Sequence, residues 1–253
     1  GSVLLAAPAL APVMAARNRV LYRVMTEADA LLVYSEFVRD WFSSHGAPPE
    51  RVHLVPRGIP RPPDLPERQR SDAECVRFAY IGGLAWQKGL HVVVEAFNGL
   101  PDHAELIIAG DETKYPAYVE ELKALSVHPG VRFVGKLDRP AVWQTLVDAD
   151  AVVVPSLWYE TFSMLTREAF AMGAPVLASD HGVLADAITH EVDGLLVEPG
   201  SVPAWRQAMS RFAASPELRA ELRAAVKPPP TMDHYVDNLE REYAQALADR
   251  HGR

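Results

Sequence analysis

A chain of 253 residues, 49% hydrophobic and 23% charged, has room for one large or two modest domains and is too apolar for a disordered one. Its formal net charge of −8 argues against a nucleic-acid partner, which needs basic surface to release counterions. The one cysteine, Cys75, cannot form an internal disulfide, which suits a reducing, cytoplasmic setting.

The run from Val3 to Pro12 mimics the apolar core of a signal peptide. It has no initiator Met or basic segment before it, and Pro8 and Pro12 interrupt it. Gly1-Ser2 reads as a cloning scar and the start as the truncated edge of a domain. No other stretch approaches the roughly 20 apolar residues of a membrane span. Pro12 to Ala28 is predicted as a helix. Asp29 to Tyr34 follows as a strand, Ser35 as an N-cap, and Glu36 to Ser44 as a short helix with Phe37, Trp41 and Phe42 inward. Pro48-Pro49-Glu50 turns the chain into the strand Val52 to Pro56. Residues 61–75 begin Arg61-Pro62-Pro63-Asp64 and read as a semi-rigid linker.

Strand-then-helix units follow. The strands are Val76 to Ile81, Glu105 to Ala109, Val131 to Val134, Ala151 to Val154, Pro175 to Ala178 and Gly194 to Val197. The helices are Leu90 to Phe97, Ala117 to Leu125, Ala141 to Val147, one after Pro155, a short one near Ala185 to Ile188, Pro203 to Phe212 and Pro216 to Val226. This alternation calls for an α/β fold: a Rossmann-like parallel sheet covered on both faces, with ligands beyond the carboxyl ends of its strands. Lys227-Pro228-Pro229-Pro230 breaks the chain before a last helix, His234 to Leu247. The expected division is 1–60, 61–75, 76–226 and 227–253.

The stretch after Pro155 carries the most chemistry. Tyr159 to Met172 holds no Gly or Pro, spaces Phe162, Leu165, Ala169 and Met172 three to four apart, and stops at Gly173. It reads as an amphipathic helix with Glu160 at its mouth, Thr161 and Ser163 in its first turn, and Glu168 about two turns on. A helix start carries unpaired amides and a positive dipole end, which together seat a phosphate. Two flanking carboxylates suit a ligand with hydroxyls on either side of a diphosphate. Helix physics alone leaves open that both glutamates are solvated surface charges.

Gly82-Gly83-Leu84-Ala85-Trp86-Gln87-Lys88-Gly89-Leu90 also follows a strand and opens a helix. Its glycines admit a close backbone approach, and Lys88 offers phosphate a cation. The pattern is neither G-x-G-x-x-G nor a Walker A loop. Gly110-Asp111-Glu112 reads as a turn rather than a metal pair. The histidines have no zinc-type spacing and none pairs with a serine elbow, so no metal and no hydrolase triad is expected.

Glu160 and Glu168, with seven residues between them and then Ala169-Phe170-Ala171-Met172-Gly173-Ala174-Pro175-Val176, resemble the E-x7-E region of retaining GT-B glycosyltransferases of family 4, also called glycosyltransferase group 1. The resemblance implies a donor-binding half of a GT-B fold preceded by a partial N-terminal, acceptor-side α/β domain. The last helix would cross back to that domain. It implies that the amides of Thr161, Phe162, Ser163, Met164 and Leu165 hold the donor diphosphate, that Glu160 contacts the donor sugar, and that Glu168 holds the ribose. Gly82 and Gly83 with Lys88 resemble the family's Gly-Arg-Leu…Lys-Gly loop, where Arg and Lys both bind diphosphate. Lys88 matches, and Gly83 stands where the family has Arg. Gly135 and Lys136 fall in the loop that meets the nucleobase. Asp180 to Asp186 departs from the family's Gly-Gly-x-Pro-Glu and is read as structural.

The implied activity is transfer of a sugar from a UDP-, GDP- or ADP-sugar to an acceptor hydroxyl with retention, needing no cofactor. Glu160 and Lys88 are the catalytic candidates. The family carries further strand-helix units before the equivalent of Asp29. This chain alone is therefore expected to bind nucleotide-sugar but transfer little, with a missing N-terminal domain or partner chain supplying the acceptor site. The rival readings are a non-enzymatic nucleotide-sugar-binding module, one half of a split enzyme, and a GT-B nucleotide-sugar epimerase.

Overall fold

The computed structural model describes residues 3–69 and 75–251. One unit takes the chain up to Arg57 and again from Asp233, and the other runs Gly58–Met232. In the first, α1 (Val3–Glu27), β1 (Leu31–Val33), α2 (Glu36–Ser44) and β2 (Val52–Leu54) follow in order. Helix α1 begins well before Pro12 and carries both Pro8 and Pro12 inside it. Each proline forfeits a helical N–H bond, and the flanking Ala, Leu and Met residues, strong helix formers, carry the helix through. Ser35 Oγ accepts from the Val38 amide at 3.2 Å and caps α2. Strands β1 and β2 are parallel, with Leu31 opposite Val52, and Val33, Ala47 and Val52 form a small core with Phe42. Trp41, expected inward, is half exposed and stacks on His45 at 4.1 Å between centroids. It lies one position off the Val38–Phe42 stripe that faces the core.

The second unit opens on an extended segment. Arg61 donates to the Pro229 carbonyl at 2.6 Å, the Glu67 carbonyl accepts from Gln144 at 3.0 Å, and the Gln69 amide donates to Asp148 at 2.9 Å. The linker expected over 61–75 is thus tied along this unit as far as residue 69, and residues 70–74 of it lie outside the described residues. The units then run β3 (Val76–Ile81), α3 (Leu90–Phe97), β4 (Ala104–Ala109), α4 (Pro116–Leu125), β5 (Val131–Gly135), α5 (Arg139–Asp148), β6 (Ala151–Val154), α6 (Met164–Ala171), β7 (Val176–Ser179), α7 (Gly182–Ala187), β8 (Gly194–Val197), α8 (Val202–Ala214) and α9 (Pro216–Ala225). The chain returns to the first unit as α10 (Met232–His251), where Glu242 pairs with His53 Nδ1 at 2.8 Å.

All six strands of the large sheet are parallel, in the order β5-β4-β3-β6-β7-β8. Every residue of β6 and β7 is buried, because helices cover both faces of the sheet. Phe78 of β3 meets Phe97 of α3 and Phe212 of α8 at 6.2 and 5.5 Å between centroids, which locks the two helices to one face. The strand order reverses between β3 and β6. Such a switch point opens a crevice at the carboxyl ends of the two strands, because their outgoing loops diverge.

That crevice depends on one glycine. Gly89, between the β3 loop and α3, has φ +70°, and a Cβ there would sit 1.9 Å from the Pro155 carbonyl oxygen at the end of β6. Gly83, six residues earlier, has nothing within 4 Å of a built Cβ. Gly89→Ala is therefore expected to destabilise the protein by at least about 1–3 kcal/mol, from strained backbone alone. Gly83→Ala is expected to stay within about 0.5 kcal/mol of the parent. Urea unfolding of both variants checks the contrast, and equal midpoints would contradict it.

Candidate functional site

The loop leaving β3 is fixed on both sides. The Gly82 amide donates to the Ala109 carbonyl at 2.9 Å, and the Tyr80 hydroxyl donates to the Gly83 carbonyl at 2.8 Å. Burial pushes the Tyr80 phenol far above its ordinary value, so it remains a donor. The loop then makes a 3₁₀ turn, Trp86–Lys88. The loop leaving β6 meets it: the Leu157 amide donates to the Gln87 carbonyl at 2.9 Å. These contacts set Lys88 Nζ 2.9 Å from Glu160 Oε1, with the two side chains 29% and 13% exposed. Ser156 Oγ also donates to Glu160 Oε1, and the lysine lies 5.6 Å from the centroid of the Trp158 ring. His181, just before α7, donates from Nε2 to the Ser156 carbonyl at 2.8 Å, so a third loop braces the serine that holds Glu160.

Helix α6 starts at Met164, not near Tyr159. Thr161 and Phe162 form a bend, and Ser163 sits in the left-handed region at φ 55°, ψ 81°. Phe162 is buried, with the Arg167 guanidinium 5.6 Å from its ring centroid. Burial depresses the Arg167 pKa, against the pull of Asp186 and Asp193. Phe162 is thus apolar for core reasons and not as part of a helical stripe, and this is why the spacing extended the helix too far. Glu160 lies ahead of the helix on a loop, and Glu168 is about one turn into it rather than two. Ser163 does not cap the helix. Its Oγ is 2.9 Å from Thr166 Oγ1 instead, so the N-cap side chain leaves the amides of the first turn open. Met164 is exposed, Leu165 half-buried and Thr161 exposed.

Glu168 is buried, and its Oε1 accepts from Arg139 at 2.8 Å. Arg139 is the first residue of α5, where Asp138 caps the helix through the Ala141 amide at 3.0 Å. Before it come Gly135, the last residue of β5, at φ +70°, whose carbonyl accepts from the Gly110 amide at 2.9 Å, and Lys136, which is exposed. Among the described residues, no group of three or more His, Cys, Asp or Glu is placed to hold a metal ion. Two residues of the cluster escaped sequence reasoning. Ser156 carries no sequence signal beyond its place just after a strand. Arg139 carried a usable signal, because a cation in the first turn of a helix opposes the dipole and needs a partner elsewhere.

Residues 63–227 match the model of the family described as glycosyl transferases group 1. A D-inositol 3-phosphate glycosyltransferase of Xylanimonas cellulosilytica is 32% identical over 223 residues, which cover 81% of this chain and 53% of the relative. The enzyme of the same name from Jonesia denitrificans is 32% identical over 244 residues, covering 87% and 57%. The chain thus spans about half the length of the relatives it matches. Among solved structures, HepE of Anabaena in complex with UDP and glucose aligns with a TM-score of 0.73 at 20% identity, over 91% of this chain and 66% of that one. Sucrose-phosphate synthase of Thermosynechococcus elongatus aligns with a TM-score of 0.76 at 24% identity, over 92% and 62%. The structural likenesses agree with the doubly wound sheet and its switch point, and the matched span carries both glutamates and Lys88: the chain belongs to the glycosyl transferases group 1 family.

Proposed function

We propose that this chain is the donor-binding part of a retaining sugar transferase using a UDP-, GDP- or ADP-sugar. The observation that carries the reading is the Lys88–Glu160 pair at the switch point, beside an uncapped helix start. Lys88 and the amides of the bend and first turn, Thr161 to Leu165, bind the diphosphate and stabilise the charge that builds on it as the sugar leaves. Glu160, held by Ser156, orients a donor-sugar hydroxyl. Glu168 accepts from the ribose hydroxyls, and the Gly135–Lys136 loop meets the base. In the transfer, an acceptor oxygen bonds to the anomeric carbon on the face the diphosphate leaves. The bond from that carbon to the phosphate oxygen breaks, and the acceptor proton passes to the departing diphosphate. No side chain is assigned as a nucleophile. The Anabaena neighbour's UDP and glucose support a donor of this class, and the single cysteine is consistent with a cytoplasmic setting. No helix among the described residues is long and apolar enough to cross a membrane.

A second reading, a binding module or one half of a split enzyme, is favoured by α1. Leu10, Val13, Val20, Leu21 and Val24 are exposed along it, an apolar stripe at helical spacing. As a donor-binding part or as one half of a split enzyme, the chain would take its acceptor site from a further N-terminal domain or a partner chain.

Calorimetry with UDP, GDP and ADP tests the donor site. Glu168→Ala is expected to weaken the base that binds tightest by about 1–3 kcal/mol, through lost hydrogen bonds to a buried carboxylate. An unchanged dissociation constant would remove Glu168 from the site. Gly83→Arg places a second cation where a side chain meets open space, and is expected to tighten the same nucleotide by about 1 kcal/mol or more. No gain would place the diphosphate away from this loop. The isolated chain is expected to show little sugar transfer, and turnover matching full-length relatives would overturn the need for an added acceptor domain.

A further inference from the structure

We propose that Arg139 is the positioning residue for the ribose carboxylate and sets the preference of this site for ribonucleotides. The inference rests on the assignment of Glu168 to the ribose. Glu168 is a buried carboxylate, its side chain 11% exposed, and its Oε1 is taken by the Arg139 guanidinium at 2.8 Å. The hydrogen bond and the ion pair of Glu168 both fall on Oε1, on the Arg139 side. A carboxylate so placed has one oxygen fixed and one left to accept from a ligand, so the direction of the second is set by the bond to the first.

Two features argue that the pair serves the site. Arg139 stands first in α5, where its charge opposes the helix dipole. It also directly follows the β5–α5 connection that begins at Gly135 and Lys136, so the groups proposed to meet base and ribose lie on one stretch of chain. The guanidinium also lies 5.3 Å from the centroid of the Trp143 ring, one turn further along α5. A planar cation with both an indole and a carboxylate oxygen as partners loses freedom to swing, and so does the carboxylate it grips.

The test compares UDP, GDP and ADP with their 2′,3′-dideoxy counterparts, by calorimetry, on the full chain as it exists and on Arg139→Ala, Arg139→Lys, Glu168→Ala and the Arg139→Ala/Glu168→Ala double variant. The readout is the ribose-to-dideoxyribose affinity ratio for the base that binds tightest. Dideoxynucleotide binding serves as an internal check that each variant keeps a folded site. Arg139→Ala is expected to lower the ratio about fivefold, the share of one hydrogen bond, while dideoxynucleotide affinity holds. Arg139→Lys should recover part of the loss, and Arg139→Ala should change nothing further once Glu168 is gone. If Glu168→Ala removes the preference but Arg139→Ala leaves it intact, the positioning role is wrong and the ribose assignment stands. If Arg139→Ala tightens ribonucleotides, the arginine competes with the ribose and the proposal is overturned. If Glu168→Ala leaves the ratio unchanged, or no nucleotide binds the parent chain, the ribose assignment falls and this inference with it.

Discussion

The contact between the β3 loop and the end of β6 sets everything else at the candidate site. Gly89 lies against the Pro155 carbonyl with no room for a Cβ, and two residues away on either side the Gln87 carbonyl takes the Leu157 amide. Two neighbouring parallel strands normally send their loops apart at a switch point. Here a backbone hydrogen bond and a glycine close the gap at its base. Lys88 lies between the two anchoring residues Gln87 and Gly89, so its placement opposite Glu160 follows from backbone geometry rather than from the flexible lysine stem.

A chain with a net charge of −8 is an unlikely host for an anion by its average field. Local arrangement decides instead, because a cleft with low-dielectric walls responds to the few charges that line it. Each of the two glutamates has a cation drawn from a different connection: Lys88 from the one after β3, Arg139 from the one after β5. The acidic groups are thereby compensated where they stand, and the dipole end of α6 adds its positive field to the same region. A nucleotide diphosphate entering such a site would replace part of the Lys88–Glu160 pairing with a phosphate contact, and would not have to approach two uncompensated carboxylates.

The sheet was legible because buried parallel strands are written as short Val-, Ile- and Leu-rich runs. Val76 to Ile81 and Ala151 to Val154 were placed to the residue, as was α3. The start of α6 was not, because two unrelated demands coincide there. Phe162 is apolar because it packs beneath the bend, and Ser163 adopts a left-handed conformation that a periodic pattern cannot register. Helix α1 misled in the opposite sense, since prolines argue for a break that the surrounding helix formers overrode. Charged pairs across loops were invisible for a plainer reason. Arg139 and Glu168 are 29 residues apart, and Lys88 and Glu160 are 72 apart, and no local rule links positions at such distances. Resemblance to a family named three of those four residues, and the ion pairs themselves arise only when the fold brings the loops together.

Ser163 bears on how the anion seat is kept open. A non-glycine residue at φ 55° costs free energy, of order 1–3 kcal/mol for a strained position, and persists only where its surroundings enforce it. In an ordinary N-cap the backbone is extended and the serine oxygen closes one amide of the first turn. The left-handed turn takes that oxygen away, towards Thr166, and leaves the amides without the serine as partner. Lys88 and Ser156 both bind Oε1 of Glu160 and hold that carboxylate on the loop ahead of the helix. The strained turn thus denies the helix start its own serine as an acceptor, which favours an acceptor from outside.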